Sequence, residues 1–449
     1  MNHSDRAKRR LGMVSIGIFF LFIVICMGTA NAQTMLDLEA DSAILVDLKT
    51  GTIIYEKNSD EALPPASMSK MMTEYLIMEA IEKGQFDWDT PVVVSEYAHY
   101  IASLDGTSRV WLAQGEERTV KELYTAMAVY SANDATVALA ELAAGSEQQF
   151  VQMMNDKAAQ LGMTNTRFVN ATGLPNSMLG KYIHTGGAGD ENAMSARDTA
   201  ILARALLTNY PAVLNFSSIP VVEPGQEEGH FPVRLINFNW MLPNHPNGNQ
   251  YTYPGLDGLK TGYTDLAQYC FTATAEKEGL RLISVVMRTP SEAARFVETR
   301  KLLDYGFNHF GYHTFAKQGD AVKGSETLPV AQGKEQEVPV VLGEDVEALI
   351  NTDQADQYAF QVEPLPDLVN EEGELIAPVE EGEPVAVARL VYNGKQQYDS
   401  LDGAQALEVP VVAKQGVEEA GFFRKAWRAI AQFFSGLWSG AVESVTGWF

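Results

Sequence analysis

Cysteine is nearly absent from this chain of 449 residues: only Cys26 and Cys270 occur. Cys26 falls inside an N-terminal apolar segment, so Cys270 stands alone in the remainder and no disulfide framework holds the fold. It lies in an apolar strand pattern and reads as a packing residue rather than a reactive thiol. Histidine is also sparse. The six beyond the N-terminal segment are scattered from His99 to His313, which argues against the clustered ligands of a zinc peptidase. Basic charge is short as well: Lys and Arg total 33 against 58 Asp and Glu, a net charge of −25, so a nucleic acid would be repelled. The run Gly186-Gly187-Ala188-Gly189 lacks the following Lys-Ser/Thr and the strand-to-helix frame of a phosphate loop, and is expected to be a surface loop. No metal or organic cofactor is implied. Disorder is not the default either, because 46% of the residues are hydrophobic and 20% charged, enough for two or three domains with a sizeable core.

The two ends have their own character. Arg6, Lys8, Arg9 and Arg10 precede an apolar run over 11–27, and Ala30-Asn31-Ala32 is a small-x-small cleavage signal. Residues 1–32 therefore read as a secretory signal peptide, with an uncleaved membrane anchor as the alternative. At the other end, over 417–449, Phe423, Trp427, Ile430, Phe434, Leu437, Ala441, Val445 and Trp448 recur at spacings of three and four. That pattern predicts an amphipathic helix lying in a membrane interface; a spanning helix would bury Gln432 and Glu443 in lipid. A helix docking its apolar side on the protein is the alternative.

Between the ends, residues 42–48 and 52–57 read as a hairpin around Leu48-Lys49-Thr50-Gly51. Helical patterning runs over 119–162, with capping boxes at Thr119…Glu122 and Ser146…Gln149, and resumes after Ser195. Strands are expected over 268–275 and 281–287, joined at Glu278-Gly279. Residues 315–412 hold 20 Asp and Glu against 5 Lys and Arg, with short Val-rich strands and no useful helix. They describe a small all-β domain without a catalytic constellation.

The chemistry centres on Pro64-Pro65-Ala66-Ser67-Met68-Ser69-Lys70. The prolines are expected to deliver an extended approach, after which Ser67 opens a helix and Lys70 follows one turn later on the same face. A serine hydroxyl needs a proton acceptor to attack at neutral pH, and a lysine can accept only if burial or a second cation lowers its pKa. Helix residues 68–81 are apolar nearly all round, so the lysine is expected to be buried. Ser131 and Asn133 fall at a helix junction, where capping is the ordinary role. Lys260-Thr261-Gly262 on an edge strand offers backbone groups, a cation and a hydroxyl to an extended peptide and its carboxylate.

Taken in this order, Ser67-x-x-Lys70, Ser131-x-Asn133 and Lys260-Thr261-Gly262 resemble the elements of penicillin-binding proteins and serine β-lactamases. With Phe168-Val169-Asn170-Ala171-Thr172-Gly173-Leu174-Pro175 and Asp257-Gly258-Leu259 before the third motif, the chain beyond residue 32 resembles the low-molecular-mass D-alanyl-D-alanine carboxypeptidases. The resemblance implies an α+β catalytic domain, an antiparallel sheet with a helical cluster, over 33–312. A β-rich domain over 313–412 and an anchor over 417–449 would follow it.

It also implies roles. Ser67 would be the nucleophile, Lys70 the acylation base and Ser131 a proton relay, with Lys260 keeping the Lys70 amine neutral by like-charge repulsion. Asn133 would bind the substrate amide, and the backbone N–H groups of Ser67 and Tyr263, beside Gly262, would form the oxyanion hole. Thr261 and Arg295 would bind the terminal carboxylate, with Arg288 as the competing arginine. Peptidoglycan stem peptides would be the substrate, β-lactams covalent inhibitors, and the outer face of the cytoplasmic membrane the location. Many relatives carry a basic residue where this chain has 235–239, which lack one. A β-lactamase would need a deacylating glutamate in a Glu-x-x-x-Asn setting, which Glu141-Leu142-Ala143-Ala144-Gly145 does not supply. A wall-binding or sensory protein of the same shape is the non-enzymatic alternative.

Overall fold

The structure is a computed structural model, and it describes residues 36–225, 231–394, 398–403 and 407–421. The signal segment 1–32 and residues 422–449 of the expected terminal helix lie outside the described residues.

A five-stranded antiparallel sheet organises the larger part. In chain order its strands are β1 (Ser42–Asp47), β2 (Ile53–Lys57), β3 (Leu256–Thr264), β4 (Gln268–Lys277) and β5 (Leu280–Thr289), and their order across the sheet is β2-β1-β5-β4-β3. Every residue of β1 is buried, as a strand covered on both faces requires. Alternation divides its side chains: Ile44 and Val46 join Ile283, Val285 and Met287 in the helical core. On the opposite face Phe271 meets Phe296 of α6 (Glu292–His309) edge to face, their ring centres 5.4 Å apart. β4 and β5 are joined through Glu278 and Gly279, both at positive φ, as a two-residue hairpin turn demands.

The longer helices inserted between β2 and β3 build the other layer: α1 (Lys70–Glu82), α2 (Val120–Tyr130), α3 (Asn133–Ala144), α4 (Glu147–Gln160) and α5 (Ala196–Asn209). The expected buried helix is α1, which hides ten residues from Lys70 to Ala80. The Thr119 capping box forms in full, its hydroxyl accepting from Glu122 N while Glu122 accepts from Thr119 N. At Ser146 only the forward half forms, with Gln149 N donating to the hydroxyl.

The α+β architecture expected from the sequence is thus present, with an all-β region after it. That region begins at Phe310 rather than 313, because Phe310–Ala316 leaves α6 directly as a strand paired with Val346–Asn351. A six-stranded sheet follows around Val338, Val340, Val385 and Val411. The terminal helix expected from 417 does not start there. Val417 exchanges two backbone hydrogen bonds with Val379 and is buried, and Glu419 bridges to Gly333, so 417–419 complete the β region. Backbone links such as Ile53 N to Asp399 O, 2.7 Å, and the Tyr312 hydroxyl to Asp47, 2.8 Å, join the β region to the β1–β2 hairpin.

Thr119 starts the helix that delivers Ser131. Thr119→Ala should lower stability by about 1 kcal/mol, measured as a fall in the thermal midpoint.

Candidate active site

The nucleophile's element begins one turn earlier than its α-helix. Pro65 is already in the helical region (φ −86°, ψ −11°) rather than extended, and Ala66–Ser69 form a 3-10 turn that runs into α1. Ala66 is held at φ 50°, a left-handed conformation that costs an L-residue of order 1 kcal/mol. Two glycines press on this turn. A Cβ on Gly173 (φ 81°) would overlap the Ala66 carbonyl, and one on Gly262 would overlap the Pro65 carbonyl. Edge strand β3 and the 170–175 loop can approach Ser67 so closely only because both positions lack side chains.

Residues three apart in a 3-10 turn lie above one another, and Lys70 Nζ stands 3.0 Å from Ser67 Oγ. It also donates to Asn133 Oδ1 at 2.7 Å and to the Thr172 carbonyl at 2.6 Å. Three oxygens surround the amine and none is a carboxylate. Lys70 is fully buried, and burial together with the charge of Lys260 drives its pKa well below the ordinary 10.5; Glu74 and Asp134 oppose the shift more weakly. A neutral amine suits this cage: two N–H groups bond Asn133 and Thr172, and the remaining lone pair faces the Ser67 hydroxyl, which then becomes the donor.

The Thr172 carbonyl is itself positioned. Asn170 Oδ1 accepts from Thr172 N, Thr172 Oγ1 and Gly173 N, and Asn170 Nδ2 donates to Leu174 O, so one side chain shapes the loop. Ala171 O accepts from Thr73 Oγ1 on α1, and Glu147, buried and raised to about 7, accepts from Ala171 N.

Ser67 opens onto a cleft of about 670 Å³ that also receives Ser131, Asn133, Thr261, Gly262, Tyr263 and Arg295. The three motifs therefore meet in one place, and Lys260 lies buried beneath it. Ser131 does not cap with its side chain: it is the left-handed C-cap of α2 (φ 58°), and its buried Oγ has no partner among the described residues. Asn133 opens α3, but its Oδ1 is taken by Lys70, leaving its NH₂ group for the cleft. Asp134 accepts from Val110 N and Leu112 N and so fixes the segment after Ser108, another cleft residue.

Among the described residues Lys260 Nζ bonds only the Thr261 carbonyl, at 3.4 Å, and its pKa falls because it is buried. Arg295 is 2% exposed, pairs with Glu292 at 3.0 Å, and keeps its Nε without a partner among the described residues. Burial brings its pKa down to about 10. Arg288, the competing arginine, turns instead toward Asp41, 3.6 Å away, and is absent from the cleft lining. Tyr263 is half exposed and packs on Tyr269, while Tyr130 stacks on Phe238 across the cleft. Phe238 falls in the stretch that lacks a basic residue, so an aromatic wall stands there. Among the described residues, no group of three or more His, Cys, Asp or Glu side chains is placed to hold a metal ion.

Glu74 and Asp134 carry no role in the motifs, and Asn170 enters only within the 168–175 stretch, without one of its own. Glu74 did leave a trace, as a carboxylate in the apolar run one turn beyond Lys70.

Residues 28–291 match the family described as D-alanyl-D-alanine carboxypeptidase, and residues 310–419 match the C-terminal domain of penicillin-binding protein 5. The chain belongs to the D-alanyl-D-alanine carboxypeptidase family. It is 35% identical to the D-alanyl-D-alanine carboxypeptidase DacF of Bacillus subtilis, over 92% of this chain and 96% of that one. Against DacA of Escherichia coli the identity is 30%, over 88% and 89%. Among solved structures, a peptidoglycan synthesis regulatory factor, PBP3, of Streptococcus pneumoniae aligns with a TM-score of 0.66 at 34% identity, over 85% of this chain and all of that one. Penicillin-binding protein D2 of Listeria monocytogenes, in its ampicillin-bound form, aligns with a TM-score of 0.51 at 34% identity, over 61% of this chain and 99% of that one.

For this carboxypeptidase, the tight approach at Gly173 generates a prediction. Gly173→Ala should displace the Ser67 turn and slow acylation by a fluorescent penicillin about a hundredfold or more, read as rate of label uptake by protein with an unchanged circular dichroism spectrum.

Proposed function

We propose that the protein is a serine-type carboxypeptidase that removes the terminal D-alanine from peptidoglycan pentapeptide stems through an acyl-enzyme on Ser67. The observation that carries this is the buried Lys70 amine, 3.0 Å from Ser67 Oγ and caged by oxygens that favour its neutral form. Ser67 Oγ attacks the carbonyl carbon of the penultimate D-alanine as its proton passes to Lys70 Nζ. The carbonyl oxygen becomes an oxyanion held by the backbone N–H groups of Ser67 and Tyr263, donors of a kind worth about 3 kcal/mol each in the barrier. The scissile C–N bond then breaks, and the proton reaches the leaving amine through Ser131, whose unpartnered hydroxyl lies in the same cleft. Water attacks the ester carbon, gives a proton back through Lys70, and the C–Oγ bond breaks to restore Ser67.

Thr261, Lys260 and Arg295 bind the substrate's terminal carboxylate, and Gly262 lets the peptide lie along the open edge of β3. The unpartnered Nε of Arg295 supports that assignment. Asn133 NH₂ holds the substrate amide. A β-lactam, which also carries a carboxylate and a reactive carbonyl, would acylate Ser67 covalently. We further propose cleavage of a signal peptide at 1–32, a catalytic domain ending where α6 ends, a β domain to about 420, and a terminal interfacial helix holding the enzyme on the outer face of the cytoplasmic membrane.

Release of D-alanine from a pentapeptide ending in D-Ala-D-Ala tests the activity. Ser67→Ala should lower it by at least about a thousandfold and abolish penicillin labelling. An unaltered protein that takes up penicillin but leaves the peptide intact would favour a binding or sensory role. The rate should also be bell-shaped in pH. Lys70 works neutral, so activity is lost as pH falls through its lowered pKa. Lys260 works charged, so carboxylate binding is lost as pH rises through its own lowered pKa.

A further inference from the structure

Acyl transfer by Ser67 and Lys70 leaves Glu74 unexplained. It stands one helical turn beyond Lys70 on α1, is 2% exposed, and its carboxyl makes no hydrogen bond or ion pair among the described residues. An isolated carboxylate in a buried helix is costly, and an apolar residue would pack there at no such cost.

Burial raises the Glu74 pKa to about 7, so the carboxyl carries its charge at neutral and alkaline pH, and the groups that hold the shift back are cationic. Lys260 of β3 comes first and Lys70 of its own helix second, and Tyr124 of α2 is the remaining titratable neighbour, its hydroxyl unpartnered among the described residues. Asp134 of α3 acts in turn on Lys70, and Arg295 of α6 on Lys260. Among the described residues neither lysine has a carboxylate in contact: Lys70 touches three neutral oxygens, and Lys260 one carbonyl at 3.4 Å. Two buried ammonium groups near each other cannot both stay charged without a counter-ion. Glu74 is the carboxylate they share. For Lys260 it is the main influence retaining the proton, whereas on Lys70 the repulsion from Lys260 outweighs it.

We propose that Glu74 is a positioning residue for the acylation: its carboxylate is the counter-charge that keeps Lys260 cationic beneath the cleft and so leaves Lys70 as the lysine that serves as base. The proposal rests on the serine acylation set out above. It assigns Glu74 no contact with substrate.

The test is the acylation rate of the full chain with fluorescent penicillin between about pH 5 and pH 10, for the unaltered protein, Glu74→Gln and Glu74→Asp. Above about pH 7, where Glu74 is ionised, removing the counter-charge lowers the pKa of Lys260. Lys260 then loses its charge at lower pH, which moves the alkaline limb down, whereas on the acid side Glu74 is already protonated and that limb stays in place. The alkaline limb should move by about one pH unit in Glu74→Gln, and Glu74→Asp should restore most of the original profile. A packing role alone would change the height of the profile and not its limbs. Label on the unaltered protein with unmoved limbs in both folded variants overturns the proposal alone. Failure of both variants to fold overturns it too, by making Glu74 structural. No label on the unaltered protein removes the serine acylation itself, and the proposal with it.

Discussion

Everything at this site depends on one buried amine. Lys70 Nζ has three oxygen neighbours supplied by three separate elements: Ser67 from the 3-10 turn, Asn133 from α3 and Thr172 from the loop before Pro175. Burying a charged ammonium among neutral acceptors is expensive, so the amine is biased toward the form that can take a proton. A cage of this kind works only if its walls do not move. Asn170 therefore holds the loop through three bonds to one oxygen, and Gly173 and Gly262 let loop and strand close on the turn without side chains between them.

The charge of the whole molecule and the charge of the cleft have opposite senses. A chain of net −25 repels anions, yet its reaction centres on a substrate with a free carboxylate. Against that background two cations, Lys260 and Arg295, stand at the cleft, each almost fully buried and so weakly screened. Their burial lowers both pKa values, which is the cost of holding cations out of water. Edge strand β3 complements them with an unpaired backbone rail beside Ser67.

Much of this arrangement was legible in the residues. The β1–β2 hairpin, the buried α1, the Thr119 box and the β4–β5 turn followed from local patterns, because each is decided within a few residues. The meeting of Ser67, Ser131 and Lys260 followed only from the order of three motifs matched to a known family; spacing along the chain cannot bring residues almost 200 positions apart together. What stayed hidden was long-range or conformational. Pro65 is helical and Ala66 left-handed in a turn that two distant glycines, Gly173 and Gly262, approach closely. Asn133 points its oxygen at Lys70, and no local rule distinguishes that from a cap. Val417 forms a β-bridge because Val379 lies opposite it, a partner 38 residues away that the helical spacing of the terminal segment could not reveal.

The central claim is that Lys70 is neutral when Ser67 attacks. Its most direct measure is an NMR titration of the Lys70 side chain, with labelled lysine and assignment by the Lys70→Arg variant. A Lys70 resonance that loses its proton well below the ordinary lysine value of about 10.4 is the predicted result. A resonance that remains protonated up to that value would contradict the account, because the group that meets Ser67 Oγ would then be unable to accept its proton.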